Sequence, residues 1–234
     1  MKWTKAILPA VVAALIVASA STAWADEVHL EIRGMSMETP DAGYTNLTGD
    51  ASASSTGFAL GYSPSQIDGL RFMASMDVNE FQGTRFAGDL DAEWLGQRFM
   101  GGVDYGIDLF DDRLRPLVRV GVGYSRQELI YRADRVSYRD SSHGLTGQAA
   151  AGLEGAVLLS DPSPESIADR LSLRLSLTAG YSWRSSANFD EMTSQDAPEE
   201  PDDDDPWQRA TYDAGTIGLS GFSMAFGVML GYSF

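Results

Sequence analysis

From residue 221 to the end of the chain every even position is apolar: Phe222, Met224, Phe226, Val228, Leu230, Tyr232 and Phe234. Side chains in a strand alternate between two faces, so all of them point the same way. The odd positions carry Gly221, Ser223, Ala225, Gly227, Met229, Gly231 and Ser233. A soluble sheet would normally set charge opposite its core, whereas this second face is small and uncharged, as if turned into a narrow enclosed space. The same alternation recurs upstream. Val28, Leu30 and Ile32 oppose His29, Glu31 and Arg33; Thr56, Phe58, Leu60 and Tyr62 oppose Gly57, Ala59 and Gly61; Leu70, Phe72, Ala74, Met76 and Val78 oppose Arg71, Met73, Ser75, Asp77 and Asn79.

The next region changes parity. Phe86, Gly88, Leu90, Ala92 and Trp94 are even, but Leu95, Phe99, Gly101, Val103, Tyr105, Ile107 and Leu109 are odd. A change of face requires a bulge or a loop, placed near Trp94 to Arg98. A fourth strand is therefore predicted from Phe99 to Leu109, with Phe86 to Leu95 as its extension. Leu114 to Tyr124 starts a fifth, with Pro116 tolerated near its beginning. Leu145, Ala149, Ala151, Leu153 and Val157 mark a sixth, and Leu171 to Trp183 alternate cleanly in a seventh. Ile217 and Leu219 have the wrong parity for the last strand, whose regular register is predicted to begin near Gly221.

The connections alternate in length. Short ones lie at 63–69, 111–113 and 160–169, and long ones at 38–54, 80–98, 126–142 and 185–214. That asymmetry is expected of short periplasmic turns and longer extracellular loops, and ~9 to 11 tilted residues suffice for each crossing. The predicted fold is all-β, a transmembrane antiparallel up-and-down β-barrel of eight strands, or ten if Phe86 to Leu95 pairs separately. The last strand must then pair with both Val28 to Ile32 and Leu171 to Trp183, removing both sheet edges. Tyr62, Tyr124, Tyr181, Trp183 and Tyr232 fall where aromatic girdles belong. A soluble lipocalin-like barrel would alternate equally but with its faces exchanged. The terminal Phe, the small inner face of the last strand and the loop asymmetry favour the membrane.

Composition adds an address. Met1 to Ala25 has Lys2 and Lys5, an apolar run from Ala6 to Ala18 and the small-x-small pattern Ala23-Trp24-Ala25. This predicts a secretory signal over 1–25 and a mature barrel domain over 26–234. The formal net charge of −16 argues against nucleic acid as a partner. With no cysteine there is no disulfide framework or thiolate metal site. Neither a metal site nor another cofactor is expected. After Lys5 every cation is Arg, which stays ionised in poor solvent and pairs bidentately with carboxylate or phosphate.

Gly231-Tyr232-Ser233-Phe234 resembles the closing signature of Gram-negative outer-membrane barrels. The resemblance implies that Tyr232 and Phe234 form an assembly signal for the barrel-assembly machinery. Leu114-Arg115-Pro116 followed by Val120-Gly121-Val122-Gly123-Tyr124 is similar to the fifth-strand segment of small barrels related to the transmembrane domain of outer membrane protein A. The likeness covers the mature chain in layout but only these stretches in residues. It implies residence in the outer membrane after passage through the periplasm, as a monomer.

Candidate chemistry lies inside and on top. The inward positions include His29, Glu31, Arg33, Arg71, Asp77, Asp104, Asp108, Arg119, Glu154 and Arg174. Both signs are present, and an unpaired buried charge is expensive, so a lumen plugged by Arg-carboxylate pairs is expected. A narrow gated pore for ions or small solutes is the alternative. Arg126, Arg132, Arg135 and Arg139 with Tyr131 and Tyr138 suit phosphates of outer-leaflet lipids, lipopolysaccharide included, or an acidic partner. The run Asp190 to Asp205 is expected to be a solvated tip. An outer-membrane lipid-modifying enzyme or protease is a further alternative. It would need His143, beside Asp140, Ser141 and Ser142, because His29 lies near the periplasmic end. The expectation is of a structural or surface-binding barrel without catalysis.

Overall fold

The computed structural model describes residues 25–39, 41–64, 66–85, 90–133, 136–159, 170–190, 192–194 and 211–233. The signal segment before Ala25, the turn at 160–169, the acidic tip from 195 to 210, Phe86, Gly88, Arg135 and Phe234 lie outside the described residues. The elements in chain order are β1 (Ala25–Glu38), α1 (Ala42–Thr48), β2 (Ser52–Pro64), β3 (Leu70–Arg85), β4 (Leu90–Gly106), β5 (Leu114–Ala133) and β6 (Val136–Leu158). They continue as β7 (Leu171–Arg184), β8 (Ala187–Asn188), β9 (Met192–Ser194), β10 (Thr211–Tyr212), β11 (Thr216–Ile217) and β12 (Gly221–Ser233).

Strands β1 to β7 and β12 form one closed antiparallel ring, an 8-stranded up-and-down barrel. β12 pairs with β1 over Glu27↔Ser233 to Met37↔Ser223 and with β7 over Gly221↔Ser182 to Tyr232↔Leu171. Closure leaves no unpaired edge in the apolar layer, where an unsatisfied backbone group would cost several kcal/mol.

The orientation of the faces decides between lipid and water. Val122 is 70% exposed, Ile32 65% and Phe226 54%, whereas Glu31 is 2% exposed and Arg98 and Asp104 are at 0%. The apolar face is outside and the charges are inside, the reverse of a lipocalin-like barrel. On the outer face Tyr124, Tyr181 and Trp183 mark the loop end, and Tyr62, stacked on Phe72 at 6.4 Å, marks the turn end.

The parity break at β4 is not a change of face. β3 and β4 pair continuously from Leu70↔Tyr105 to Arg85↔Leu90 without a bulge, so the ten-strand alternative falls. Ala92 and Trp94 point inward together with Arg98 and Asp104. Hydrophobicity switches sides because the surroundings do. Within the membrane the outside is lipid, but above it the outside is water and the inside is filled with apolar groups. Ile217 and Leu219, 2% and 0% exposed, belong to the connection before β12, which starts at Gly221 as predicted.

The segments 80–98 and 126–142, predicted as loops, are mostly strand. β5 has 20 residues and β6 has 23, about twice what a crossing needs. Their excess beyond Tyr124 and Leu145 raises a ribbon roughly 20 Å above the lipid. The long connection 38–54 holds α1, whose N-cap Asp41 accepts from the Tyr44 amide at 2.8 Å. The connection 185–214 holds β8 to β10, and β8 joins β11 in a short ribbon. At the other end β4 stops at Gly106, earlier than the predicted Leu109, which survives as a single bridge to Leu114. Phe110, Asp111 and Asp112 between them all have positive φ.

Candidate functional site: a doubly plugged barrel

The inward side chains stack in layers from the turn end to the loop end. Nearest the turns, His29 Nε2 lies 3.0 Å from the Ser63 hydroxyl, and Ser172 donates to Glu27 at 2.6 Å. Above them Arg119 on β5 donates to Asp104 on β4 at 2.8 and 2.9 Å and reaches Glu31 on β1 at 3.2 Å. Arg71 on β3 grips Glu154 on β6 at 2.7 and 3.2 Å. The next layer centres on Asp77, which accepts two bonds from Arg33 at 2.8 and 2.9 Å and two from Arg98 at 2.8 and 3.1 Å. Arg98 also donates to Ser182 on β7 at 3.4 Å. Most of these bonds join non-adjacent strands, so the ionic layers span the lumen as struts. A cavity of about 20 Å³ beside Arg33, Met73, Ser75, Met100 and Arg119 has room for about one water.

The small face of β12 has its explanation here. A Cβ on Gly227 would stand 2.4 Å from Glu31 Oε1 and 2.6 Å from Ser176 Oγ, while one on Gly34, on the lipid face, would meet nothing within 4 Å among the described residues. Gly227→Leu is therefore expected to cost about 1–3 kcal/mol of folding stability, while Gly34→Leu stays within about 0.5 kcal/mol of the parent. Urea titration in phospholipid vesicles reads both; equal midpoints for the two variants would contradict this packing.

Above the ions sits Arg184, whose Nη1 donates to Asn79 at 3.4 Å, and above that an apolar plug. Met37, Trp94, Leu129, Tyr131 and Tyr138 from the walls meet Tyr44 and Leu47 of α1 and Phe189, Met192, Ile217 and Leu219 of the last connection. Trp94 is fully buried, with Phe189 edge-on at 5.7 Å and Tyr44 at 6.5 Å. Burial, reinforced by the charge of Asp50, raises the Tyr44 phenol above the ordinary tyrosine range, so it stays neutral.

Of the predicted interior residues, Glu31, Arg33, Arg71, Asp77, Asp104, Arg119 and Glu154 lie within the buried layers. Asp108 and Arg174 lie at the turn-end mouth, 4.0 Å apart. Arg98, Arg115 and Arg184 also face the lumen and were not among the predicted set. Arg115 continues the parity of Arg119, and Arg184 that of Arg174, so alternation alone could have found both. Arg98 was hidden by the apparent change of face.

The surface set divides. Arg126, Arg132 and Arg139 point outward with side chains about half exposed. Tyr131 and Tyr138 do not join them. They occupy the inward face and are buried in the plug at 7% and 1%, because the ribbon's inner side is apolar at that height. Glu128 pairs with both Arg126, at 3.4 Å, and Arg139, and Glu93 pairs with Arg132 at 2.7 Å. His143 is exposed, stacks on Tyr124 at 5.6 Å and hydrogen-bonds its hydroxyl through Nδ1. Register puts Ser141 on the face of His143 and Asp140 and Ser142 on the other, which separates the set beside the histidine.

A closed antiparallel barrel with an apolar belt outside and paired ions inside defines a transmembrane β-barrel, and this protein has that fold. Similar solved structures are small outer-membrane proteins. Neisserial surface protein A is 13% identical, with 89% of this chain and 96% of that one covered at a TM-score of 0.44. The attachment invasion locus protein of Yersinia pestis is 13% identical, with 90% and 99% covered at 0.46. A major outer membrane protein from Thermus thermophilus is 11% identical, with 88% and 99% covered at 0.48. No protein-family model matches the chain. No curated protein matches it either.

Proposed function

We propose that this barrel is sealed, and that it acts through the surface raised above the membrane in a structural or surface-binding role. The observation that carries this reading is the double plug. Arginine struts fill the membrane-spanning lumen, and an apolar core built from α1, the connection after β7 and the strand extensions covers them. An ion crossing the lumen would have to break buried pairs and then leave through a hydrophobic layer, and both steps are costly. The raised ribbon suits recognition for a different reason. Arg126 and His143 sit next beyond the lipid-face residues Tyr124 and Leu145, at headgroup height, where they can meet phosphates of outer-leaflet lipids such as lipopolysaccharide.

Conductance in planar lipid bilayers tests the reading. The purified barrel is expected to give no stable current steps at moderate voltage, whereas regular steps that scale with salt concentration would favour the narrow pore.

A further inference from the structure

At the turn-end mouth, opposite the raised ribbon, three arginines crowd together. Arg71, Arg115 and Arg174 are 1%, 5% and 8% exposed, and their charges all act on the buried His29. In each of them Nε has no hydrogen-bond partner among the described residues, and neither does His29 Nδ1. Arg71 is otherwise well served by Glu154. Arg115 and Arg174 have no such bidentate partner among the described residues. Arg115 donates to the Gly69 carbonyl at 2.7 Å and lies 3.6 Å from Glu154; Arg174 donates to the Asp112 carbonyl at 3.3 Å. The carboxylate between them, Asp108, stands 3.9 Å from Arg115 and 4.0 Å from Arg174, too far to hydrogen-bond either.

Buried guanidinium groups normally use their fork on a carboxylate or phosphate at about 2.7 to 2.9 Å. Here two neighbouring forks share one acceptor that touches neither, and that acceptor is the most exposed member of the cluster, its side chain one third open to solvent. Asp108 also follows the end of β4 and precedes the turn with three left-handed residues, outside the regular ladder. The wall arginines are fixed by strands and turn carbonyls, and the backbone on either side of Asp108 is held by hydrogen bonds from Ile107 to Pro116 and from Leu109 to Leu114, so the part of Asp108 that can move is its side chain.

We propose that the periplasmic mouth is a binding site for a small oxyanion, a carboxylate or a phosphate monoester, held between Arg115 and Arg174, and that Asp108 occupies the site as an internal stand-in. A ligand anion closing to hydrogen-bond distance would engage the Nε donors that have no partner among the described residues and displace the Asp108 side chain toward solvent. A second negative charge close to Asp108 is repelled, so the native residue keeps the affinity low and makes binding competitive with it.

The test uses the whole barrel in phospholipid nanodiscs, titrated calorimetrically with acetate, inorganic phosphate and phenyl phosphate, each at several salt concentrations. Asp108→Asn is expected to tighten saturable binding of at least one probe about tenfold, and Arg174→Gln to weaken it by a similar factor. Arg174→Lys, which keeps the charge but loses the fork, should fall between. The acetate and phosphate arms tell a carboxylate ligand from a phosphate one. Heat-dependent mobility of each variant on gels shows that it has folded. Absence of saturable binding in Asp108→Asn, or equal affinity in Asp108→Asn and Arg174→Gln, would overturn the proposal.

Discussion

Replacing Asp77 with alanine is expected to destabilise the barrel by about 3–5 kcal/mol, a very large effect for a change of a few atoms. Asp77 is 1% exposed and is the common acceptor for Arg33 and Arg98, themselves 4% and 0% exposed. Removing it leaves two cations facing each other with no counter-charge and no route to water. Wild-type stability owes much less to the attraction itself, since burying the ions already costs several kcal/mol each. The double variant Asp77→Ala with Arg98→Met should therefore regain part of the loss, because one of the two stranded charges goes with it. Urea unfolding in vesicles checks both. An Asp77→Ala midpoint equal to wild type would mean that the arginines find water inside, and the lumen would not be dry.

Trp94→Ala should cost a comparable amount, about 3–5 kcal/mol, but in a different place. The indole joins α1 to the last connection through Tyr44 and Phe189. Its loss opens a cavity in a layer assembled from connections, which can detach while the ring of eight strands stays closed. The expected result is faster proteolysis and faster amide exchange in 41–50, 187–190 and 214–219, with nearly unchanged protection in β7 and β12. Uniform loss of protection around the barrel would show that the plug and the ring unfold together. The two variants thus separate the ionic plug from the apolar one.

Much of this was legible in the sequence, for a reason that also sets the limit. Alternation with period two reports which residues share a face, and in β1, β2, β3, β7 and β12 that face meets lipid over much of the strand. Pattern put Phe222 to Leu230 on one face and Glu31, Arg33, Arg71 and Asp77 on the other, and the small second face of the last strand and the loop asymmetry turned the apolar face outward. The opposite parity of Ile217 and Leu219 correctly marked Gly221 as the start of β12, but the same rule misled at Trp94, because it equates apolar with outward. Above the membrane the equation inverts while the strand runs on. A constant parity with a reversed meaning looks like a break, and so the extensions of β3, β5 and β6 read as loops, while that of β4 was placed but given a change of face it does not have. Tyr131 and Tyr138 were grouped with Arg132 and Arg139 by nearness in sequence, although adjacent residues in a strand face opposite ways. Partner choice inside the lumen lay beyond the sequence. Arg71 meets Glu154, which is 83 positions away, only because β3 and β6 face each other across a narrow ring. Nor does any local pattern state that Asp108 should stand about 4 Å from two arginines rather than in contact with one.

The chain contains no cysteine, so single cysteines can be placed without background. Ser176 and Thr178 lie mid-lumen on β7 and are 2% and 3% exposed, while Ser141 is exposed on the raised ribbon. Cysteine at each position, treated in the barrel folded into phospholipid vesicles with a small cationic thiosulfonate, measures whether water reaches the interior. The account predicts rapid modification at 141 and none at 176 or 178 over the same period. Modification of the two lumen positions at a rate close to that at 141 would contradict the sealed barrel.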